Sequence, residues 1–524
     1  MMARPYCVVV ALLLLAEVSR LGEGASNPGF VVRITRKGLE YARQYGMATL
    51  KKELSTINVP DLSGSFEVGW MGSVSYEFKS LRISNFQIRN SDLSLLPGRG
   101  VRASLSNNYV SIGGNWKVKK AFITLQGTFD LSVDGVSISI YLNLGEDGSG
   151  RPTASVAHCS NSVGHVSIHI SGNLSWILNL FHKRIENKLK DILKQEICEI
   201  VRKSTSSHLE PYLRTLPVTL MIDQVAGIDY SLVGAPQVTS QGLDTPFKGE
   251  FFGRSQRSPV PFDAPPIRLP QQHDRMAYFA VSQYVFNSAS RVYHQAGHMN
   301  FTIRNEDIQI LTEFLSDHSA KEWWNPRCLA SETTPFITTM SCFLSNFLLL
   351  LQSPLDFPIH LHTKSLGAVI PQLARLYPNT ELELEMSPES APFLMFTPGN
   401  VTCMPVMNIQ AFALLPNSSN RKPLFQLRAR TDISATISVS SGRVLGSLTP
   451  GSKLKLELKH SNIGFFNVQL LESIFNYYAS YIIYPSLNAK FEKGFPLPLP
   501  RDTYLNSLEL QVHKNFLFVG ANID

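Results

Sequence analysis

Midway along this 524-residue chain, residues 253–270 read GRSQRSPVPFDAPPIRLP, with prolines at Pro259, Pro261, Pro265, Pro266 and Pro270. Each proline removes a backbone donor and fixes φ, so the stretch forms neither a helix interior nor a central strand. It divides the chain into two parts of similar length and reads as a connection between domains. A chain this long also exceeds what one hydrophobic core usually organises.

The two parts share an outline. Residues 32–45 place Ile34, Leu39, Ala42 and Tyr45 at helical spacing and stop at Gly46, and residues 281–296 form a second such segment that stops at Gly297. Residues 174–213 read as a long helix leaving through Leu216-Pro217, and residues 470–492 as another leaving through Phe495-Pro496 and Leu499-Pro500. Between them lie alternating stretches that read as strands, at 121–133, 136–144 and 453–458. Duplication is the economical explanation. The predicted class is α+β, two similar units, each a twisted antiparallel sheet wrapped on long helices.

Charge separates the parts. Residues 26–220 hold 23 lysines and arginines against 15 acids, a net of +8, whereas residues 221–524 hold 23 against 24, a net of −1. Attraction for anions therefore belongs to the first part. Ahead of it, Arg4 precedes an apolar run at 6–16 and small residues Gly22, Gly24 and Ala25, the pattern of a secretory signal. That run and the apolar run at 343–351 are both shorter than the roughly 20 residues a membrane helix needs. The expectation is a secreted, extracellular glycoprotein organised as signal peptide 1–25, first domain 26–252, linker 253–270 and second domain 271–524. Sequons at Asn173, Asn300, Asn400 and Asn417 fit an exported chain.

No His-Glu-x-x-His, Gly-x-Ser-x-Gly, phosphate-binding P-loop or Cys-x-x-Cys occurs, which lowers the expectation of an enzyme. His165 with His169, and His360 with His362, would each share a strand face where metal ligation is conceivable, but no third ligand is in view and solvated faces are the commoner reading. Without Cys7 of the signal, five cysteines remain, an odd number that leaves at least one thiol free or paired between chains. For Cys159 and Cys198 a bridge is a commoner fate in an oxidising compartment than a catalytic thiol.

The stretches NPGFVVRITRKGLEYA from Asn27, GNWKVKKAFITLQGTFDLSVDGVSIS from Gly114, LEPYLRTLPV from Leu209, YFAVSQYVFNSASRVYHQAG from Tyr278 and GFPLPLPRDTYLNSLELQVHKNFLFVGAN from Gly494 closely resemble the family of bactericidal/permeability-increasing and lipopolysaccharide-binding proteins. The resemblance includes the linker, the paired cysteines and both terminal helices. SGRPT from Ser149 and LARLYPN from Leu373 look like the lipopolysaccharide-binding branch, and KHSNIG from Lys459 like the bactericidal one.

The resemblance implies an elongated boomerang of two similar barrels joined by a central sheet, with apolar pockets that hold phospholipid. It implies a non-catalytic function in innate immunity: binding the lipid A part of bacterial lipopolysaccharide and transferring it to a host receptor on monocytes. Damage to Gram-negative outer membranes, or carriage of phospholipid or neutral lipid, are the alternatives, and neither nucleic acid nor metal enters. Lys117, Lys119 and Lys120 match the family's basic tip. Several ammonium groups converging on phosphate would bind it, with Trp116 as an apolar neighbour at a lipid–water boundary. Two departures follow. Glu67, Ser73 and Ser75 stand where the family is basic, which implies weaker affinity, and about forty residues within 310–351 have no counterpart in the family, which marks them as a dispensable insertion.

Overall fold

The computed structural model describes residues 26–44, 60–68, 72–120, 122–171, 182–305, 361–415, 421–440, 443–496 and 505–523. The signal segment 1–25, the insertion at 310–351, His360, Asn173, Asn417 and the start of the helix expected from residue 174 lie outside these. The protein is mixed α+β, and its strand pairings among the described residues are antiparallel.

A six-stranded sheet joins the two halves. Its strands lie in the order Gln237–Val238, Gly242–Phe247, Phe30–Thr35, Ala277–Ser282, Phe516–Ile523 and Leu505–His513. Three come from each half, and the opening strands of the halves meet in the middle, Phe30 opposite Val281 through Ile34 opposite Ala277. Each half thus begins at this sheet and returns to it through a terminal hairpin, the arrangement a duplication predicts.

Both opening helices start later than the sequence predicts. Thr35 ends the first strand and residues 36–44 are helical; Ser282 ends the second and caps the helix Gln283–Gln295, its side chain accepting from the Tyr284 N–H. For the second strand the cause is burial on both faces. All six residues of Ala277–Ser282 are buried, so the strand shows no alternation and its apolar run imitates one face of a helix.

Residues 264–270 lie as a strap against the central sheet. The Arg33 guanidinium grips Asp244 at 2.7 and 2.8 Å and donates to the Pro270 carbonyl at 2.7 Å, while Asn27 donates to the Ala264 carbonyl at 2.9 Å. Ile267 and Leu269 pack on Val31, Tyr278 and Phe518 of the central sheet.

In the first half a seven-stranded sheet runs from Leu62–Val68 to Pro152–Ser162 and is dominated by Gly72–Gln87, Gly100–Lys120 and Ile123–Glu146. The strands expected at 121–133 and 136–144 are one strand of 24 residues. Its register against the neighbour slips where Val133 and Val136 face Val110 and Asn108, at the left-handed Gly135, so the glycine marks a bulge and not a turn. Inward residues including Phe78, Ile112, Trp116, Phe129 and Val133 form the core, with Leu193 and Ile197 of the helix His182–Ser204 packed against it. The Cys159–Cys198 disulfide, Cα atoms 5.8 Å apart, ties that helix to the strand Pro152–Ser162.

The second half has two five-stranded sheets, and Ile370, Leu373, Leu382 and Leu424 are fully buried among its core residues. The terminal helices of the halves share an irregularity. His182–Ser204 passes through a widened π turn at Thr205–Leu209, and Val468–Tyr478 through one at Ala479–Ile483. In each case a proline, Pro211 or Pro485, follows two residues after the turn ends. Proline lacks the N–H and its ring crowds the carbonyl four residues back, and the widened turn absorbs both.

Candidate functional site

The strands Gly100–Lys120 and Ile123–Glu146 form a hairpin paired to its end, where Lys120 faces Ile123. Strand alternation then decides what the three lysines do. Lys117 lies opposite Glu77 and Gln126, and Lys119 opposite Ser75 and Thr124, all on the outer face. Lys120 falls on the other face, in line with Trp116 and Val118. The lysines therefore divide two and one and do not converge from a single turn.

Trp116 departs from its expected place at a lipid–water boundary. It is 5% exposed, lies opposite Phe78 and Gly127, and belongs to the barrel core, with an indole nitrogen that has no hydrogen-bond partner among the described residues. The alternation that turns Lys117 outward turns Trp116 inward. The exposed apolar side chains at the end of the hairpin are instead Phe122, fully exposed, and Ile123, 61% exposed. Sequence reading absorbed both into a strand, because no Gly, Asn, Asp or Pro marks the turn between Lys120 and Ile123. The available signal was an apolar pair following a Lys-Lys dipeptide.

The outer face is basic but moderated. Glu77 accepts from Lys79 at 2.9 Å. That hydrogen bond first, and the charges of Lys79, Lys119 and Lys117 after it, hold the Glu77 carboxyl below its ordinary range. Ser73 and Ser75 are exposed on the same face, with Ser75 directly opposite Lys119. Glu67, also exposed, lies opposite Ser73. The face can attract phosphate, and the serines and Glu67 limit how strongly.

The histidine pairs have other surroundings. His165 and His169 are exposed, opposite Asp134 and Asp130, but four residues along a strand is about 13 Å, too far to share one ion. His362 accepts the Lys364 N–H through Nδ1 at 3.1 Å and caps the short helix Thr363–Leu366. Among the described residues no group of three or more His, Cys, Asp or Glu side chains is placed to hold a metal ion, and Cys403 is a buried free thiol. Of the sequons within the described residues, Asn300 is exposed and Asn400 begins the strand Asn400–Cys403. No helix among the described residues is long and apolar enough to cross a membrane.

The N-terminal domain model of the LBP / BPI / CETP family matches residues 38–212, and the C-terminal domain model of that family matches 220–323 and 328–524. The chain is 45% identical over 516 residues to the human (Homo sapiens) lipopolysaccharide-binding protein, with 98% of this chain and 97% of that protein covered. It is 35% identical over 514 residues to the rat (Rattus norvegicus) bactericidal permeability-increasing protein, covering 98% and 97%. A crystal structure of lipopolysaccharide binding protein superposes with a TM-score of 0.55 at 40% identity, covering 95% of this chain and 99% of that one.

Proposed function

The chain belongs to the LBP / BPI / CETP family, and from that membership we propose that it is a secreted, non-catalytic protein of innate immunity that captures bacterial lipopolysaccharide and transfers it to a host receptor on monocytes. The observation that supports the reading at the site is the placement of Lys117, half-buried, and Lys119, exposed, on one outer face of the hairpin. Ammonium groups spaced along a strand face engage the phosphates of lipid A through charge-assisted hydrogen bonds, each worth about 1 kcal/mol near a charged lipid surface. Phospholipid held in the apolar interior of each half is part of the same proposal, as is the first half acting as the capturing domain and residues 253–270 as the connection.

The similarity to bactericidal relatives supports a second reading, direct damage to the Gram-negative outer membrane. One experiment separates the two. Full-length protein is mixed with labelled lipopolysaccharide aggregates and the rate of transfer to a soluble receptor domain is followed, in parallel with survival of Gram-negative cells. Transfer without killing is the expected result, and killing without transfer would replace the first reading by the second. Mass spectrometry of lipid extracted from the purified protein tests the phospholipid component.

A further inference from the structure

We propose that Lys79 is a further phosphate ligand of the basic face and that Glu77 is the anion it holds until phosphate takes its place, so that the site accepts a phosphomonoester in preference to a phosphodiester. This rests on reading Lys117 and Lys119 as phosphate ligands, and adds a residue and a ligand class to that reading.

Glu77 stands at the centre of that face. Lys117 lies directly across from it on the neighbouring strand, where Cβ atoms are about 5 Å apart, and Lys119 lies on the diagonal, at about 7–8 Å. Lys79 is two residues along the same strand face, about 7 Å away, and its ammonium reaches Glu77 Oε2 at 2.9 Å. On the remaining side Glu77 faces Ser63. One carboxylate is thus shared by three ammoniums, and its lowered pKa, caused first by Lys79 and then by Lys119 and Lys117, agrees with that geometry. Asp61, the other carboxylate whose charge acts on Lys79, already accepts the Ser80 N–H at 2.8 Å.

The pair is open to exchange. The Lys79 side chain is 58% exposed and that of Glu77 28% exposed, and an ion pair at the surface is held weakly. A phosphate arriving over Lys117 and Lys119 meets the carboxylate where it would itself sit. When Glu77 turns away to solvent, Lys79 is left beside the same phosphate and donates to it instead. The exchange sets the ligand class. A phosphomonoester carries about −1.5 to −2 charges near pH 7, more than the single charge of the carboxylate it replaces, so the three ammoniums are better satisfied than before. A phosphodiester also carries one charge, and gains nothing by the exchange.

The test uses full-length protein and two soluble probes below their micelle concentrations: dihexanoyl phosphatidic acid, a phosphomonoester, and dihexanoyl phosphatidylglycerol, a phosphodiester. Inorganic phosphate is the third arm. Lysine acetylation is mapped by mass spectrometry with and without each probe. Phosphatidic acid should reduce acetylation of Lys79 at least threefold, together with Lys117 and Lys119, and leave the exposed Lys455 of the second half unchanged. Phosphatidylglycerol and inorganic phosphate should each need at least fivefold higher concentration for the same protection. In Glu77→Gln, with unchanged thermal unfolding, calorimetric titration should show both lipids binding at least fivefold more tightly. Protection of Lys117 and Lys119 without Lys79, equal protection by the two lipids, or unchanged affinity in folded Glu77→Gln would overturn the proposal and leave the phosphate reading standing. Protection of none of the three lysines would overturn both. Inorganic phosphate protecting as well as phosphatidic acid would overturn the lipid headgroup as the ligand.

Discussion

In the first half the strands Gly72–Gln87, Gly100–Lys120 and Ile123–Glu146 run to 16, 21 and 24 residues, whereas the longest described strand of the second half's own sheets, Arg421–Arg430, has 10. The long strands carry a hairpin that ends in lysines and exposed apolar side chains, and a disulfide fastens their sheet to its helix. The second half is fastened differently. Its sheet buries Glu383, which accepts from Arg304 at 2.5 Å and from Arg421 at 2.6 Å. What the halves keep in common lies near the central sheet and in the terminal helices; what differs lies away from it. The comparison teaches that the halves agree in the strands they share at the central sheet and differ in the sheets each keeps to itself.

Removing the bridge should break the comparison most. Replacing Cys159 and Cys198 by serine opens a closure spanning 39 residues, worth about 3–4 kcal/mol in the chain-entropy model. Differential scanning calorimetry should show the first half's transition falling while the second half's stays in place. Movement of both together would mean that the halves unfold as one unit.

The matching change in the second half is Glu383→Gln, with an expected loss of about 1–3 kcal/mol, since it leaves two half-exposed arginines without their buried partner. Burial alone would raise the Glu383 pKa; hydrogen bonds from Arg421 and Arg304 outweigh it and leave the net shift downward. A depressed carboxyl stabilises the fold above its unfolded pKa of about 4.3 and loses that contribution as pH falls through the folded value. The gap between wild type and Glu383→Gln in urea unfolding should therefore be full at pH 7 and shrink below about pH 4. A gap that does not change with pH would contradict this origin.

Smaller effects sharpen the contrast. Ser75→Lys, opposite Lys119, should tighten lipopolysaccharide binding by about 1 kcal/mol, read by titration at low salt. Deleting residues 312–350 should change neither stability nor binding measurably. Asn305 and Leu361 hydrogen-bond each other in both directions, at 2.6 and 3.2 Å, so the chain leaves and returns at one place. Loss of secretion on deletion would show that the segment is structural.

Much of the architecture was legible. The alternating strands and the two terminal helices announce themselves through hydrophobic period. The strand Ala277–Ser282 of the central sheet did not, because a strand buried on both faces has no exposed positions to alternate with. At the site, the lysines were legible as residue types. Their division between two faces depended on knowing that the strand runs to Lys120, and Phe122 was hidden in a turn without turn residues. Trp116 was misplaced for the same reason, since one step along a strand exchanges boundary for core.

The central claim is that the outer face of the first half's hairpin captures lipopolysaccharide through phosphate. Equilibrium binding of lipopolysaccharide and of a neutral phospholipid should be measured across a salt series for wild type, Lys117→Glu/Lys119→Glu and Lys120→Glu. The double variant should lose at least tenfold in lipopolysaccharide affinity at low salt, about 1 kcal/mol per contact with added repulsion, and its salt dependence should flatten. Lys120→Glu should lose less, and neutral phospholipid binding should stay unchanged in all three. Wild-type lipopolysaccharide affinity in a folded double variant would contradict the claim and return Lys117 and Lys119 to an ordinary solvated strand face.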